Sequence, residues 1–304
     1  MIETPVRTSG ASDEELRASL ARGDALAGTV LPILRHVLGH DAAALFGDEV
    51  LARVRAMLSH LAGELLQEAL GDEGDADPLF EALLATPTLL AHVHAQALEW
   101  ALTERLERRY ALDPVISPLL QAAISAPDHP SHALATDFVV AQTAWCQAHR
   151  RMGIALRELP GEALHAALLA SLATYPGDDR VEQADLAIRA SYDEASTRLG
   201  LAARLVLQRD DDAQNALELG QAGVALFLTA LSLHAGQERE AVTLATHEMQ
   251  VTRLALTLIT AGLPPRAAER QIEFLQGRSP LTPDLDLVDA DQAGDLLRHA
   301  HHGA

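Results

Sequence analysis

The sequence predicts an all-α protein without a β-sheet, built as an array of antiparallel helix pairs of the HEAT-like or α-solenoid kind. Three observations predict it. Hydrophobic residues make up 48% of the chain, nearly all of them Ala, Leu and Val, and the aromatic share is 3%. Ala and Leu favour helices, whereas strands favour aromatic and β-branched residues. Apolar residues also recur at steps of three and four over long stretches, the spacing of one helix face. Finally, PLFEALLATP at 78–87 returns as PLLQAAISAP at 118–127, and a looser copy, ALLASLATYP, stands at 167–176. A period near 40 residues is that of helical arrays, in which one pair buries its apolar face only against a stacked neighbour.

The elements follow in order. Residues 24–38 and 48–70 read as two helices, and the acidic, glycine-containing GDEGDAD at 71–77 reads as a hinge. Each block then supplies a short helix, a proline turn and a long helix. After the first block Leu98, Leu102, Leu106 and Tyr110 form a seam at four-residue steps, so Glu99, Thr103 and Glu107 are expected to face water. After the second, Leu134, Phe138, Ala141, Trp145, Ala148, Met152, Ala155 and Leu159 alternate steps of four and three. That seam makes Trp145 and Met152 core residues. A third long stretch runs from Val181 to about Gln208, and the polar QRDDDAQN at 208–215 ends it.

Helices are expected near 216–235, 238–261 and 265–276, with Gly262, Pro264 and Pro265 marking the last stop and restart. RSPLTPDLDLVDAD beyond Gly277 reads as a loop before one short terminal helix, and HAHHGA as a frayed end. The corresponding division is an N-terminal helical segment at 1–77, helix-pair repeats at 78–209, a C-terminal helical segment at 210–278 and a tail at 279–304, unless all four belong to one domain.

Composition removes several function classes. The net charge of −20 opposes nucleic acid and anionic membranes, whose recognition rests on Lys and Arg. No lysine occurs, so all 23 basic residues are arginine. Schiff-base chemistry and a Walker A lysine are thereby excluded. Cys146 is the single cysteine, which rules out an internal disulfide and suits a reducing compartment. The N-terminus, MIETPVRTSGASDEELR, lacks a signal-peptide pattern, and the uncharged stretch at 219–237 is interrupted by Gln221, Thr229, Ser232 and His234. A buried central helix and a cytoplasmic location are the expectations.

The candidate chemistries are few. His36 and His40 have helical ligand spacing, but Gly39 reads as the helix stop and Asp41 as the cap of a new turn. His92 and His94 point to different faces. Glu162 and His165 match the Glu-x-x-His step of di-iron bundles without the second copy such sites use. His247 and Glu248 begin a zinc HExxH signature that fails at Val251. Cys146 and His149 lie one turn apart, yet Cys146 adjoins the seam residue Trp145 and reads as a small hydrophobe. Glu73, Asp75 and Asp77 lack the glycine and terminal Glu of a calcium loop, and Asp284, Asp286, Asp289 and Asp291 fail similarly. Gly-x-Ser-x-Gly and Gly-x-Gly-x-x-Gly loops are absent, and Gly220 and Gly223 read as a close helix contact. No metal or cofactor is therefore expected.

Two resemblances add to this. ATHEMQVTRLALTLI at 245–259 resembles the phosphoacceptor helix of histidine kinases and histidine phosphotransfer proteins, which implies His247 as the acceptor; the Thr and Pro that normally follow are absent. GVALFLTALSLHAGQEREAVTLATHEMQVTRLALTLITAGLPPRAAERQ at 223–271 resembles an uncharacterised family of all-helical bacterial proteins, which implies helices and no particular activity. The expected role is a non-catalytic protein–protein interaction or scaffold module whose acidic surface suits a basic partner, with self-association compatible. The alternatives are a phosphotransfer protein and an enzyme or small-molecule binder whose site forms only on folding.

Overall fold

A computed structural model describes residues 9–38, 49–128, 130–208, 213–277 and 288–301. All regular structure among them is helical, with no strand among the described residues, so the all-α class holds. The helices are α1 (Ser9–Leu38), α2 (Glu49–Leu70), α3 (Ala76–Leu84), α4 (Pro87–Tyr110), α5 (Pro118–Ser125), α6 (His132–Arg150), α7 (Gly161–Thr174) and α8 (Asp179–Ser191). They continue as α9 (Arg198–Leu207), α10 (Ala213–Ala216), α11 (Leu219–Ala235), α12 (Arg239–Ala245), α13 (Val251–Thr260), α14 (Pro265–Gln276) and α15 (Ala290–His301).

The chain divides into two compact units, Leu31–Ala230 and a second made of Met1–Val30 with Leu231–Ala304. This division differs from boundaries at 77, 209 and 278, because α1 up to Val30 groups with the C-terminal part while its last turns belong to the larger unit. GDEGDAD lies within the larger unit as a 3-10 turn, Gly71–Glu73, and a helix start in which the Asp75 carboxylate accepts the Asp77 N–H at 3.1 Å. It is not a boundary between units.

In the larger unit the first two blocks fold locally as their pattern predicts. Each supplies a short helix, α3 or α5, before a long one, α4 or α6. The third departs from it. Its residues close α7, and the expected long helix is split into α8 and α9 by a turn at 192–197. Thr197 starts α9, its hydroxyl accepting the Gly200 N–H at 3.1 Å. Gly200 is needed there, since a Cβ would lie 2.1 Å from the Glu194 carbonyl oxygen.

Packing is not confined to successive pairs. α2 packs on α3, α4 and α8, α3 and α4 pack on α7, and α6 packs on α5 and α9. A linear array would join neighbours only. Instead α2, α3 and α7 pack directly on α4, and Trp145 of α6 and Arg198 of α9 also reach it. Hence α4 buries Glu99 and Thr103 as well as Leu102 and Leu106, while Glu107 and Tyr110 are exposed. The expectation that Glu99 and Thr103 face water is overturned.

The α6 seam also ends early. Gly153 N–H bonds to the Ala148 carbonyl and Met152 N–H to that of His149, the pattern of a Schellman stop, and Met152 takes the left-handed position at φ 54°. Met152 is thus exposed at 37% rather than in the core, whereas Trp145 is buried as expected.

α11 is almost wholly buried from Ala222 to Leu231, in keeping with a central helix. It breaks at Gly223, whose φ of 73° and ψ of 167° belong to a region open essentially to glycine alone. Of the close contact read at Gly220 and Gly223, the part at Gly223 is present: a Cβ there would lie 3.1 Å from the Ser117 Cβ. Gly223→Ala is expected to destabilise the protein by roughly 1–3 kcal/mol. A urea titration showing an unchanged midpoint would contradict that account.

In the smaller unit α13 packs against α12, α14 and α15. Its residues 252–259 are all buried. Arg253 pairs with Asp24 of α1, Gln250 donates to the Gly23 carbonyl at 2.6 Å, and the Ser19 and Thr252 hydroxyls lie 2.6 Å apart. These polar links fix α1 against α13, and a Cβ on Gly23 would meet Gln250 Oε1 at 2.7 Å. The single helix expected at 238–261 is broken at 246–250. Helix α14 occupies the residues expected of it.

Candidate functional site

The densest set of chemistry-bearing side chains lies inside the larger unit, where α4, α6 and α9 converge. Arg198, the first residue of α9, is 1% exposed and Glu99 on α4 is fully buried. Their side chains form a two-pronged ion pair, Nη1 to Oε1 at 2.9 Å and Nη2 to Oε2 at 3.1 Å. Arg198 also donates to Gln142 Oε1 at 3.2 Å and Gln96 Oε1 at 3.3 Å, and its guanidinium lies 4.3 Å from the Trp145 ring centre. Trp145 Nε1 donates to Gln96 Oε1 at 2.7 Å, and Gln142 Nε2 to the Pro114 carbonyl at 2.8 Å. A buried charge survives only when paired and hydrogen-bonded, and this network satisfies that demand.

His149 sits beside the pair, its ring 4.4 Å from Trp145 and 5.6 Å from Trp100. Both ring nitrogens lack a hydrogen-bond partner, and burial, followed by the Arg198 charge, lowers its pKa to about 3. The His149 carbonyl accepts from Arg53 of α2, whose guanidinium lies 5.4 Å from the Trp100 ring centre. Cys146 is likewise buried, and desolvation raises its thiol to about 11 against the lowering effect of Arg198. A thiolate–imidazolium pair requires shifts in the opposite directions. Cys146 and His149 are accordingly both neutral near pH 7. The adjoining cavity, lined by Asp113, Ser117, Gln142 and the backbone at 223–226, holds about 20 Å³, space for one water and not for a substrate.

The remaining sequence candidates lie apart. His92 is buried, 3.3 Å from Gln96 Nε2, and His94 is half-buried. His165 is exposed and contacts Arg189 Nη1 at 2.8 Å, while Glu162 is exposed. His247 is exposed at the bend between α12 and a 3-10 turn, Glu248–Gln250, and its Nδ1 accepts the Met249 N–H at 3.3 Å. Accepting there leaves the proton of the neutral ring on Nε2, so its lone pair is already engaged. His40, Asp41, Asp284 and Asp286 lie outside the described residues, as do most of the expected tail loop and residues 302–304 of the final HAHHGA, whereas 299–301 belong to α15 instead of fraying. Among the described residues no three His, Cys, Asp or Glu side chains converge as a metal-ligand set.

Two surface features had no sequence signal. A groove of about 580 Å³ opens between the last turns of α1 and the α3–α4 corner. Leu31, Pro32, Leu84, Ala85, Pro87 and Leu90 give it an apolar lining, with Arg35 and His36 as the polar residues. On α7 and α8, Leu169 and Leu186 are 49% and 66% exposed. The Arg189–His165 contact joins these helices, and Leu169 and Leu186 stand one helical turn from His165 and Arg189 respectively.

Comparison with protein-family models, with curated proteins and with solved structures finds no match for this chain. No single helix among the described residues is long and apolar enough to cross a membrane.

Proposed function

We propose that the protein is a non-catalytic helical module that binds another protein through the outer face of α7 and α8. The observation that carries this reading is the strong exposure of Leu169 and Leu186, each one turn from the residues that join α7 to α8, His165 and Arg189. Large apolar side chains gathered on one face lose exposed area when a partner covers them, and they supply the centre of an interface. Exposed Glu162 and Glu182 border them, on a chain of net charge −20. A partner with an apolar patch ringed by basic residues matches that surface, with charge accelerating the encounter.

The interior supports the same reading. Arg198, Glu99, Cys146 and His149 are buried among packed side chains, and the cavity described beside them holds about one water. The phosphotransfer reading of His247 has less behind it, since one ring nitrogen is engaged by the backbone and the histidine stands at a bend.

The test is capture of a partner from native lysate by the tagged chain, compared with Leu169→Glu/Leu186→Glu. The double variant is expected to lose at least tenfold in partner recovery while its far-UV circular dichroism is unchanged, and the native complex is expected to weaken as salt rises. Equal recovery with both chains would overturn the assignment of this face.

A further inference from the structure

The groove beside α1 rests on different residues, and what it holds does not depend on the α7–α8 reading. We propose that it is a binding site for a small amphipathic anion, an apolar chain or ring that carries one carboxylate. Its volume of about 580 Å³ falls within the range of ligand pockets, roughly 300–1,000 Å³. The floor is fixed: Leu84 and Leu90 are each 2% exposed and belong to the packed core, so the apolar wall is present before a ligand arrives. Pro32 and Pro87 stiffen its edges, because a proline ring holds φ near −65°.

Charge selects the other half of the ligand. The chain carries 43 acidic residues against 23 arginines, yet among the described residues no carboxylate lines this groove and Arg35 does. The Arg35 side chain is exposed at its edge, within reach of solvent and of a ligand head. A planar guanidinium presents paired donors that match the two oxygens of a carboxylate. His36 adds a ring nitrogen on the same border. α4 also starts here, and its N-cap Thr86 turns its hydroxyl to the Ala82 carbonyl at 2.9 Å instead of capping the helix. The field at that end therefore adds to the preference set by Arg35. An apolar cation meets like charge in the groove, and a neutral chain leaves Arg35 without a partner.

The probe is octanoate, with 1-octanol and octylammonium as the neutral and cationic counterparts, titrated calorimetrically into the full chain at pH 7.5. Octanoate is expected to bind saturably at one site and at least tenfold more tightly than 1-octanol, and octylammonium most weakly. Arg35→Gln should bring octanoate to the level of 1-octanol and leave 1-octanol unchanged, a split that a merely unfolded variant cannot give. Ala85→Trp, which fills the groove, should abolish both. If that variant does not fold, methyl NMR shifts at Leu84 and Leu90 on titration of the native chain take its place. No saturable octanoate binding, equal affinity for octanoate and 1-octanol, or octanoate binding undiminished in Arg35→Gln would each overturn the proposal. Shifts confined to methyl groups elsewhere would overturn it as well.

Discussion

Glu99→Ala is expected to cost the larger unit roughly 3–5 kcal/mol of stability, the largest effect of any single substitution considered for this protein. The loss is not the strength of the ion pair but the state of what remains. Without Glu99, the Arg198 guanidinium keeps Gln96, Gln142 and the face of Trp145, and it has no negative charge to offset its own. An unpaired charge in such a place is far more costly than an absent one. Removing both charges should therefore restore most of the loss. Glu99→Leu combined with Arg198→Met is expected to unfold within about 1–2 kcal/mol of the native chain, because apolar replacement of a buried pair is often close to neutral. The residual cost arises at Gln142, whose Oε1 loses its donor. Urea titrations of the two singles and the double, followed by far-UV circular dichroism, give the coupling directly. A cost below about 1 kcal/mol for Glu99→Ala would mean that the pair behaves as an exposed one and would refute this account.

Acid is expected to destabilise the protein through His149. The folded ring titrates at about 3, while an unfolded histidine titrates near 6.5, so between these values the unfolded chain binds the extra proton. Stability from this group is then complete above pH 6.5 and falls as pH is lowered towards 3, by up to about 1.4 kcal/mol per pH unit. The full loss is on the order of 5 kcal/mol. Arg198 from α9 and Arg53 from α2 oppose protonation, as does His92 from α4; Glu99 favours it, and burial outweighs all four. His149→Phe fills the same place between the two indoles without a titrating nitrogen. Between pH 7.5 and 4.5 its loss of stability should be about 2–3 kcal/mol smaller than that of the native chain. Parallel pH profiles for the two proteins would exclude His149 as the source.

How far the sequence could be read differs by element. Helix α2 and helix α14 are legible because each has a periodic face and clear ends; Pro265 opens α14 and Gly277 closes it in the left-handed conformation. The end of α6 carries a signal too, since Gly153 interrupts the seam, but the left-handed position falls to Met152, one residue earlier. Glu99 is a different case. A seam at Leu98, Leu102 and Leu106 assumes one buried face, whereas α4 is covered from several sides, and nothing local marks a carboxylate whose partner stands in another helix. Arg198 falls within the long stretch expected from Val181 to about Gln208, and only folding brings it to Glu99. The groove beside α1 is formed by residues near 31–36 and 84–90, and no single stretch holds its pattern.

Trp100 and Trp145 are the two tryptophans of the chain, and their rings meet edge to face at 5.6 Å beside His149. All indole emission therefore originates at one spot in the larger unit. A melt followed by fluorescence registers the opening of that spot and is blind to the smaller unit, whereas circular dichroism registers the helices of both. If the two signals fall together, the units unfold as one cooperative body; if they separate, the distance between the two transitions measures how independently each unit stands.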